Sequence, residues 1–167
     1  MREQLTKKDV ELIEQEIEHR KLVVRKEAIE AVKEARAHGD LSENFEYHAA
    51  KKDKNKNESR INYLERMLRT AEIIEEDSRE DEIGLNNTVT LYFEEDDEED
   101  TFVIVTSIRG NSLKNLVSIE SPLGKAVLGK KVGDRVFVQV SETNGYYVVV
   151  KSIEKTGDDG SNGIRSY

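Results

Sequence analysis

The sequence predicts an α+β protein in which a long helical hairpin is followed by a small domain of short strands and one helix. Apolar residues recur at helical spacing in two blocks before residue 75, with only a few residues between the blocks. Beyond about residue 85 the pattern changes to period two and β-branched residues. Charged residues make up 37% of the chain, a share too high for one large core. We therefore predict a hairpin at residues 1–78, a compact domain at 79–155 and a mobile tail at 156–167.

The first arm of the predicted hairpin begins at Thr6, whose hydroxyl can cap a helix, and continues to Gly39, a typical helix end. No helix-breaking residue interrupts it. Its apolar residues follow one another at steps of three, four or seven and form one stripe: Val10, Ile13, Ile17, Val24, Ala28, Val32 and Ala35.

The second arm begins near Ser42 or Asn44, both good capping residues, and its far half repeats apolar residues at threes and fours. Because so few residues separate the arms, the helices must fold back antiparallel. Residues 51–60, KKDKNKNESR, contain no apolar side chain, so we expect this part to depend on ion pairs with the first arm, where it faces Glu27 and Glu30. A seam this thin indicates that the hairpin serves for reach or for partner contact.

The predicted compact domain contains five strands and one short helix. Ser121 caps this helix, Pro122 occupies its first position and Gly129 follows its end. The strands are predicted at Thr88–Phe93, Thr101–Ser107, Leu116–Ile119, Arg135–Val140 and Tyr146–Ile153.

Composition excludes several classes of site. The chain has no cysteine, which excludes disulfides and thiolate zinc sites, and three scattered histidines do not suggest a histidine metal cage. The net charge is −9, and residues 71–100 hold 14 acidic side chains and one basic side chain. Direct DNA binding is disfavoured, because phosphate contact calls for a basic surplus. We find no apolar run of membrane-spanning length and no signal-peptide core, so we expect a cytoplasmic protein.

Two acidic residues, Asp40 and Glu43, lie at the predicted turn of the hairpin, and their spacing has two interpretations. It matches a capping box, in which Asp40 would cap the second helix. It also suits an exposed pair of oxygen ligands, because Mg²⁺ is often held by one or two carboxylates plus water and phosphate. Spacing alone favours the cap. However, capping by Asp40 would leave Gly39 almost alone to reverse the chain, whereas capping by Ser42 leaves a workable loop.

The side chains around the turn have open alternatives as well. A basic group could hold RNA or could be a solvated helix face paired with Glu27 and Glu30. Phe45 and Tyr47 could stack on a base, although residues of this kind more often wedge a helix against its neighbour. The basic RNA-contact candidates are Arg36, Lys51, Lys52, Lys56 and Arg60.

The block EARAHGDLSENFEYHAAK, residues 34–51, closely resembles the signature of the GreA and GreB transcript-elongation factors. A second block, SPLGKAVLGKKVGD at residues 121–134, resembles the same family and follows in the right order. The resemblance implies an antiparallel coiled coil followed by a domain similar to FK506-binding proteins. The chain departs from the family pattern at Asn55-Lys56, at Glu58-Ser59 and at residues 109–112.

By this resemblance, we expect a monomeric factor that binds bacterial RNA polymerase, enters its secondary channel and stimulates cleavage of backtracked nascent RNA near the 3′ end. Asp40 would mainly retain Mg²⁺ shared with the polymerase active site, and Glu43 would act on metal or water. Ser121 and Pro122 would lie at the docking surface. The factor would hold no metal and have no active site in isolation.

Two other hypotheses compete with this one. The first is a Gre-like regulator that occupies the same channel without promoting cleavage. The second is a coiled-coil adaptor or an isomerase-like chaperone, which leaves the acidic turn unexplained.

Overall fold

The structure is a computed structural model that describes residues 2–39 and 44–166. By packing, the chain forms two compact units. Residues up to Asp9 join Glu72–Ser166 in one unit, called the sheet unit below, and Val10–Ala71 form the other, the hairpin unit. The predicted domain boundaries at residues 78 and 155 stay predictions. In the described part of the chain, no helix is long and apolar enough to cross a membrane.

The hairpin unit contains the two predicted arms, which confirms this part of the predicted fold. The second arm is one continuous helix, α3 (Phe45–Thr70). The first arm consists of three consecutive helical segments: α1 (Lys7–His19), a π-helix (Arg20–Val24) and α2 (Arg25–Arg36).

The π-helix interrupts an arm that the sequence predicts as one regular helix. Wide turns of this kind change the backbone hydrogen-bond pattern within a helix. Here the opposite arm supplies a matching partner: Asn57 Nδ2 donates to the Arg20 carbonyl over 3.3 Å, and Arg20 Nη1 donates to Asn57 Oδ1 over 3.0 Å. The buried Asn57 therefore contacts the first residue of the π-helix through both ends of its amide.

The seam of the hairpin changes character along α3. Its last turns bury the apolar side chains of Ile61, Leu64 and Met67. Closer to the turn, the buried residues of α3 are Asn57 and Arg60. The predicted dependence on polar contacts in this part is thus observed, although the partners differ from those expected, as described below.

The sheet unit contains two sheets. Strands β1 (Gln4–Leu5) and β2 (Glu72–Ile73) pair in parallel by themselves. The other strands are β3 (Thr88–Phe93), β4 (Glu98–Val105), β5 (Leu116–Ser118), β6 (Arg135–Gln139) and β7 (Gly145–Glu154). They form a five-stranded mixed sheet with the order β5-β4-β3-β7-β6, in which β4 and β5 are parallel and the other neighbours are antiparallel. A short helix, α4 (Pro122–Val127), follows β5.

Strand β4 begins three residues before its predicted start and ends two residues before its predicted end. The reason is its antiparallel register with β3, in which Phe93 pairs with Glu98. The pairing draws the second half of the acidic run Glu94 to Asp100 into the sheet. Tyr92 stabilises the tight connection by donating its hydroxyl to Asp97 Oδ1 over 2.6 Å.

The start of α1 and the C-terminal segment both bind Arg109, which is buried in the sheet unit. Thr6 and Asp9 form a capping box at the helix start, and Arg109 Nε donates to Asp9 Oδ1 over 2.8 Å. The same guanidinium donates to the Asp158 carboxylate and to the Asn162 carbonyl. Residues 156–167 are predicted to be mobile, but in the structure this ion pair packs part of the segment onto the sheet unit.

Candidate functional site

The turn of the hairpin is closed by Asn44 from both sides. Its side-chain oxygen accepts from the Tyr47 backbone N–H over 3.0 Å and so caps α3. Its side-chain nitrogen donates to the Ala35 carbonyl in the last turn of α2 over 2.6 Å. One residue therefore joins the end of the first arm to the start of the second. The sequence offered Asn44 only as one of two caps and gave no sign of the bond to Ala35.

Asp40 and Glu43 lie outside the described residues. The described ends of the arms still test the capping interpretation, because the helix that follows the turn begins at Phe45 with Asn44 as its N-cap. A capping box with Asp40 at the N-cap, or a cap by Ser42, would need a helix that starts earlier. Asn44 is thus the observed N-cap of this helix, and the roles of Asp40 and Glu43 stay predictions.

Two basic side chains lie near Tyr47 at the start of α3. Arg36, in the last turn of α2, lies over the Tyr47 ring with 5.6 Å between guanidinium carbon and ring centroid. A hydrogen bond from Arg36 and the charge of Lys51 hold the pKa of the Tyr47 hydroxyl below its ordinary value. The Tyr47 ring is thus engaged by the first arm.

The basic RNA-contact candidates separate into two groups. Arg36, Lys51, Lys52 and Lys56 are exposed, as binding to a nucleic acid requires. None of these three lysines forms an ion pair with another described residue, so the predicted pairing with Glu27 and Glu30 is not seen within the described ranges.

Arg60 does not belong with the exposed candidates. Its side chain is 3% exposed, and its guanidinium donates to both carboxylate oxygens of Glu16, over 2.8 and 3.2 Å. Its position at the seam spacing of α3, three and four residues from Asn57 and Leu64, turns it inward. We therefore correct its assignment from RNA contact to a structural residue of the seam.

Glu16 joins Arg60 to Arg20, which lies one turn away on the first arm. Burial by itself would raise the pKa of Glu16, but hydrogen bonds from Arg60 and Arg20 outweigh it and lower that pKa. The opposite arms are also joined by Arg25 and Glu58, whose two N–H···O bonds both measure 2.8 Å, and by Lys21 and Glu65 at 3.0 Å. The spacing 57, 60, 61 and 64 marks the inward face in the sequence, but nothing there identifies the partners.

The docking candidates Ser121 and Pro122 lie at the start of α4, as predicted. Ser121 Oγ accepts from the Gly124 N–H over 3.1 Å, and Pro122 occupies the first helical turn. Both residues line a groove of about 580 Å³ on the sheet unit. The apolar part of its lining comes from strands and loops that the sequence does not bring together: Phe102, Leu116, Val117, Leu123, Val140 and Tyr146.

Gly124 lies in α4, where the helix packs closely against the backbone at the end of β5. A Cβ atom at this position would lie 1.9 Å from the Ser118 carbonyl oxygen, which is a clash with backbone. Helix α4 can therefore pack against the end of β5 only if this residue is glycine.

Comparison with known proteins decides the family. The sequence-family model of the transcription elongation factor N-terminal domain matches residues 3–73. The family model of the GreA/GreB C-terminal domain matches residues 78–155. This chain belongs to the GreA/GreB family of transcription elongation factors. The predicted family membership is thus confirmed.

Individual GreA/GreB relatives cover most of the chain. It is 45% identical to transcription elongation factor GreA of Geobacillus kaustophilus over 150 residues, which are 89% of this chain and 93% of the relative. It is 47% identical to GreA of Thermoanaerobacter pseudethanolicus over 137 residues, or 81% of this chain and 87% of the relative. The chain is 31% identical to the solved structure of GreA factor homolog 1 of Thermus thermophilus. The match covers 92% of this chain and 99% of the homolog, with a TM-score of 0.43.

Among the described residues, no group of three or more histidine, aspartate or glutamate side chains is placed to hold a metal ion. The acids predicted to bind Mg²⁺ are Asp40 and Glu43. As a donor set they fit a shared site, because two carboxylates are the protein contribution that Mg²⁺ commonly accepts when phosphates and water complete its coordination.

Proposed function

We propose that this factor binds bacterial RNA polymerase, enters the secondary channel with the turn of its hairpin and stimulates Mg²⁺-dependent cleavage of backtracked nascent RNA. The single observation that supports it best is the start of α3 at Phe45 with Asn44 as its cap. Because Asn44 caps α3, the two acids that the sequence places between the arms are not required as the cap of this helix. Ligation of a metal that the partner also holds is the role that we propose for them.

The chain supplies two things in this proposal. Asp40 retains the ion through a carboxylate oxygen, and Glu43 either shares that ion or accepts a proton from the attacking water. The ion itself supplies charge stabilisation and an activated water for phosphodiester hydrolysis. The rest of the hairpin positions the acids, because Asn44 fixes the ends of both arms relative to each other.

The deciding experiment measures RNA cleavage in stalled, backtracked elongation complexes with saturating wild-type factor, Asp40→Asn or Glu43→Gln. Each substitution removes a charge and nearly preserves shape. We expect each to lower the cleavage rate by roughly a hundredfold, about 3 kcal/mol of transition-state stabilisation, and raised Mg²⁺ to restore part of it. Both variants should still compete with wild type for polymerase. The control without polymerase should show no cleavage by the factor.

Two results would contradict this proposal. Full activity of both variants would exclude metal delivery by the acids. Binding without any stimulation by wild type would favour the regulator that occupies the channel without promoting cleavage.

Docking is assigned to the groove beside α4, because an apolar cleft offers more binding energy than the charged hairpin. The chain provides a matched pair of variants. Val140 lines the groove and is 57% exposed, whereas Val132 is 58% exposed and does not line it. We expect Val140→Glu to weaken polymerase binding at least tenfold, because it places a charge against the apolar contact. Val132→Glu should leave the binding constant unchanged, and equal losses in the two variants would disprove the assignment.

A further inference from the structure

The first residue of α3 presents an aromatic ring to solvent. Phe45 is 86% exposed. The other three phenylalanines of the chain contact neighbouring rings: Phe93 and Phe102 lie 5.9 Å apart between centroids, and Phe137 lies 5.1 Å from Tyr147. The alternative in which Phe45 wedges the second arm against the first is therefore wrong for this residue. A single exposed apolar side chain is common on protein surfaces, so its surroundings must decide whether it has a role.

Two lysines and a histidine share the face of α3 on which Phe45 lies. His48, Lys52 and Lys56 follow it at three, seven and eleven residues, and all are exposed. This spacing places the four side chains on one face of α3, called the outer stripe below. At ~1.5 Å per residue, Lys52 and Lys56 lie about 10 and 16 Å along the helix from Phe45. An aromatic ring followed by cations along one face is the combination with which proteins hold single-stranded nucleic acid.

The inner face of the same helix has different contents. Residues Tyr47, Ala50, Lys54 and Asn57 are partly or fully buried, at the complementary spacing of three and four. The ring of Tyr47 is engaged by Arg36, as described above, and is not available to a ligand in the same way. Of Phe45 and Tyr47, Phe45 is thus the one whose ring is open to solvent.

We propose that Phe45 stacks on an unpaired base of the RNA 3′ segment and holds that segment beside the loop that carries Asp40 and Glu43. The proposal rests on the proposed function, which brings RNA to this end of the hairpin. Stacking suits the task because it accepts any base, and a factor that acts along whole transcripts cannot depend on one sequence. The lysines of the outer stripe add contacts to the RNA phosphates farther along the helix from the ring.

The direct test uses backtracked elongation complexes with 2-aminopurine in the RNA 3′ segment, because stacking on an aromatic ring quenches its fluorescence. The factor carries Asp40→Asn and Glu43→Gln so that the RNA stays intact. We expect quenching on addition of this factor, its loss when Phe45→Ala is added, and its retention with Phe45→Tyr. Alanine is a strong helix former, so α3 should persist, and circular dichroism verifies this. Leu113→Ala, at a residue 95% exposed in the sheet unit, is the control and should not change the quenching.

A second arm of the experiment measures cleavage with otherwise wild-type factor. Phe45→Ala should lower the rate about tenfold, the order of one base–aromatic stack. On RNA with abasic sites in the 3′ segment, the cleavage rate with wild-type factor should fall to the rate with Phe45→Ala. On this RNA, Phe45→Ala should not lower the cleavage rate further. An equal loss on normal and abasic RNA would show that Phe45 contacts polymerase instead, and would overturn the proposal.

The two readouts separate the proposals. If the factor with Asp40→Asn and Glu43→Gln quenches through Phe45 but wild type stimulates no cleavage, the proposed function fails and the stacking role stands. If wild type stimulates cleavage but no quenching depends on Phe45, the stacking role is overturned and the proposed function stands. Absence of quenching by saturating factor also overturns the stacking role.

Discussion

The two units of this protein are stabilised by different kinds of contact. The sheet unit contains a continuous apolar cluster that includes Val89, Leu91, Ile104 and Val148. The hairpin unit buries apolar residues mainly at the end of α3 that lies far from the turn, while Asn57 and Arg60 are buried closer to the turn. Apolar burial depends little on salt or pH, whereas ion pairs depend on both. The comparison therefore predicts that salt and pH affect the seam of the hairpin more than the apolar cluster of the sheet unit.

This difference agrees with the proposed roles. A docking unit must keep a defined groove, which a close-packed core provides. In the proposed function the hairpin reaches into its partner, and a polar seam and surface suit an element that does not need a large core of its own. The cost is a seam with modest stability of its own.

The largest effect is expected from a truncation in the apolar cluster. Ile104→Ala removes a fully buried side chain in β4 and should lower the free energy of unfolding of the sheet unit by about 3 kcal/mol. Thermal unfolding followed by near-ultraviolet and far-ultraviolet circular dichroism would measure it. The loss should be the same at low and high salt. A loss that changes strongly with salt would contradict an apolar origin.

The next effect concerns the buried ion pair of the seam. Arg60→Met keeps the volume but removes both hydrogen bonds to Glu16. Breaking a fully buried pair costs about 3–5 kcal/mol, but Glu16 retains Arg20 and is partly exposed, so we expect about 1–2 kcal/mol. Hydrogen exchange of peptides from α1 and α3 would detect it as lost protection. The double variant Glu16→Gln with Arg60→Met should show almost no additional loss.

The sequence predicts the apolar contacts of the two units better than their polar contacts. Apolar periodicity predicts both arms, four of the strand positions to within two residues, and the start of α4, because periodicity reports burial directly. Polar contacts have no period. Three such hydrogen bonds join residues that are 9, 44 and 49 positions apart: Asn44 to Ala35, Arg60 to Glu16, and Arg109 to Asp158. Because these polar side chains are also stable when exposed to solvent, their residue types do not predict the contacts.

The candidate site follows the same rule. Its residue types were evident from the block around the turn, but their division into an outward and an inward face depends on how the buried face of Ile61 and Leu64 continues toward the turn. Residues 51–60 contain no apolar side chain that traces this face, so periodicity did not assign Phe45 to either side of the helix.

The stability of the hairpin seam should depend on pH. Hydrogen bonds that Glu16 accepts from Arg60 and Arg20 outweigh its burial and lower its pKa below the value in the unfolded chain. A lowered carboxylate pKa stabilises the folded state above the unfolded value, near 4.3, and this stabilisation is lost as the pH falls through the folded value. Exchange protection of α1 and α3 should therefore fall below about pH 4.3 in wild type. The fall should be smaller in Arg60→Met, while protection of β3 and β7 should not distinguish the two proteins.

The smallest effect is expected for the half-exposed pair of Arg25 and Glu58, which has the best geometry of the seam, with two N–H···O bonds of 2.8 Å. Planar, two-point pairing of this kind adds specificity for one register of the arms, but water and salt screen its charge. Arg25→Gln should lower exchange protection in the middle of the hairpin detectably at low salt and by less than Arg60→Met. The difference from wild type should shrink at 1 M salt, where the screening length is about 3 Å. Lys26→Gln, which removes the same charge from the exposed neighbouring position, is the matched control and should leave protection unchanged. If the two variants behaved alike at every salt concentration, net charge alone would explain the effect, and the pair would have no role in fixing the register.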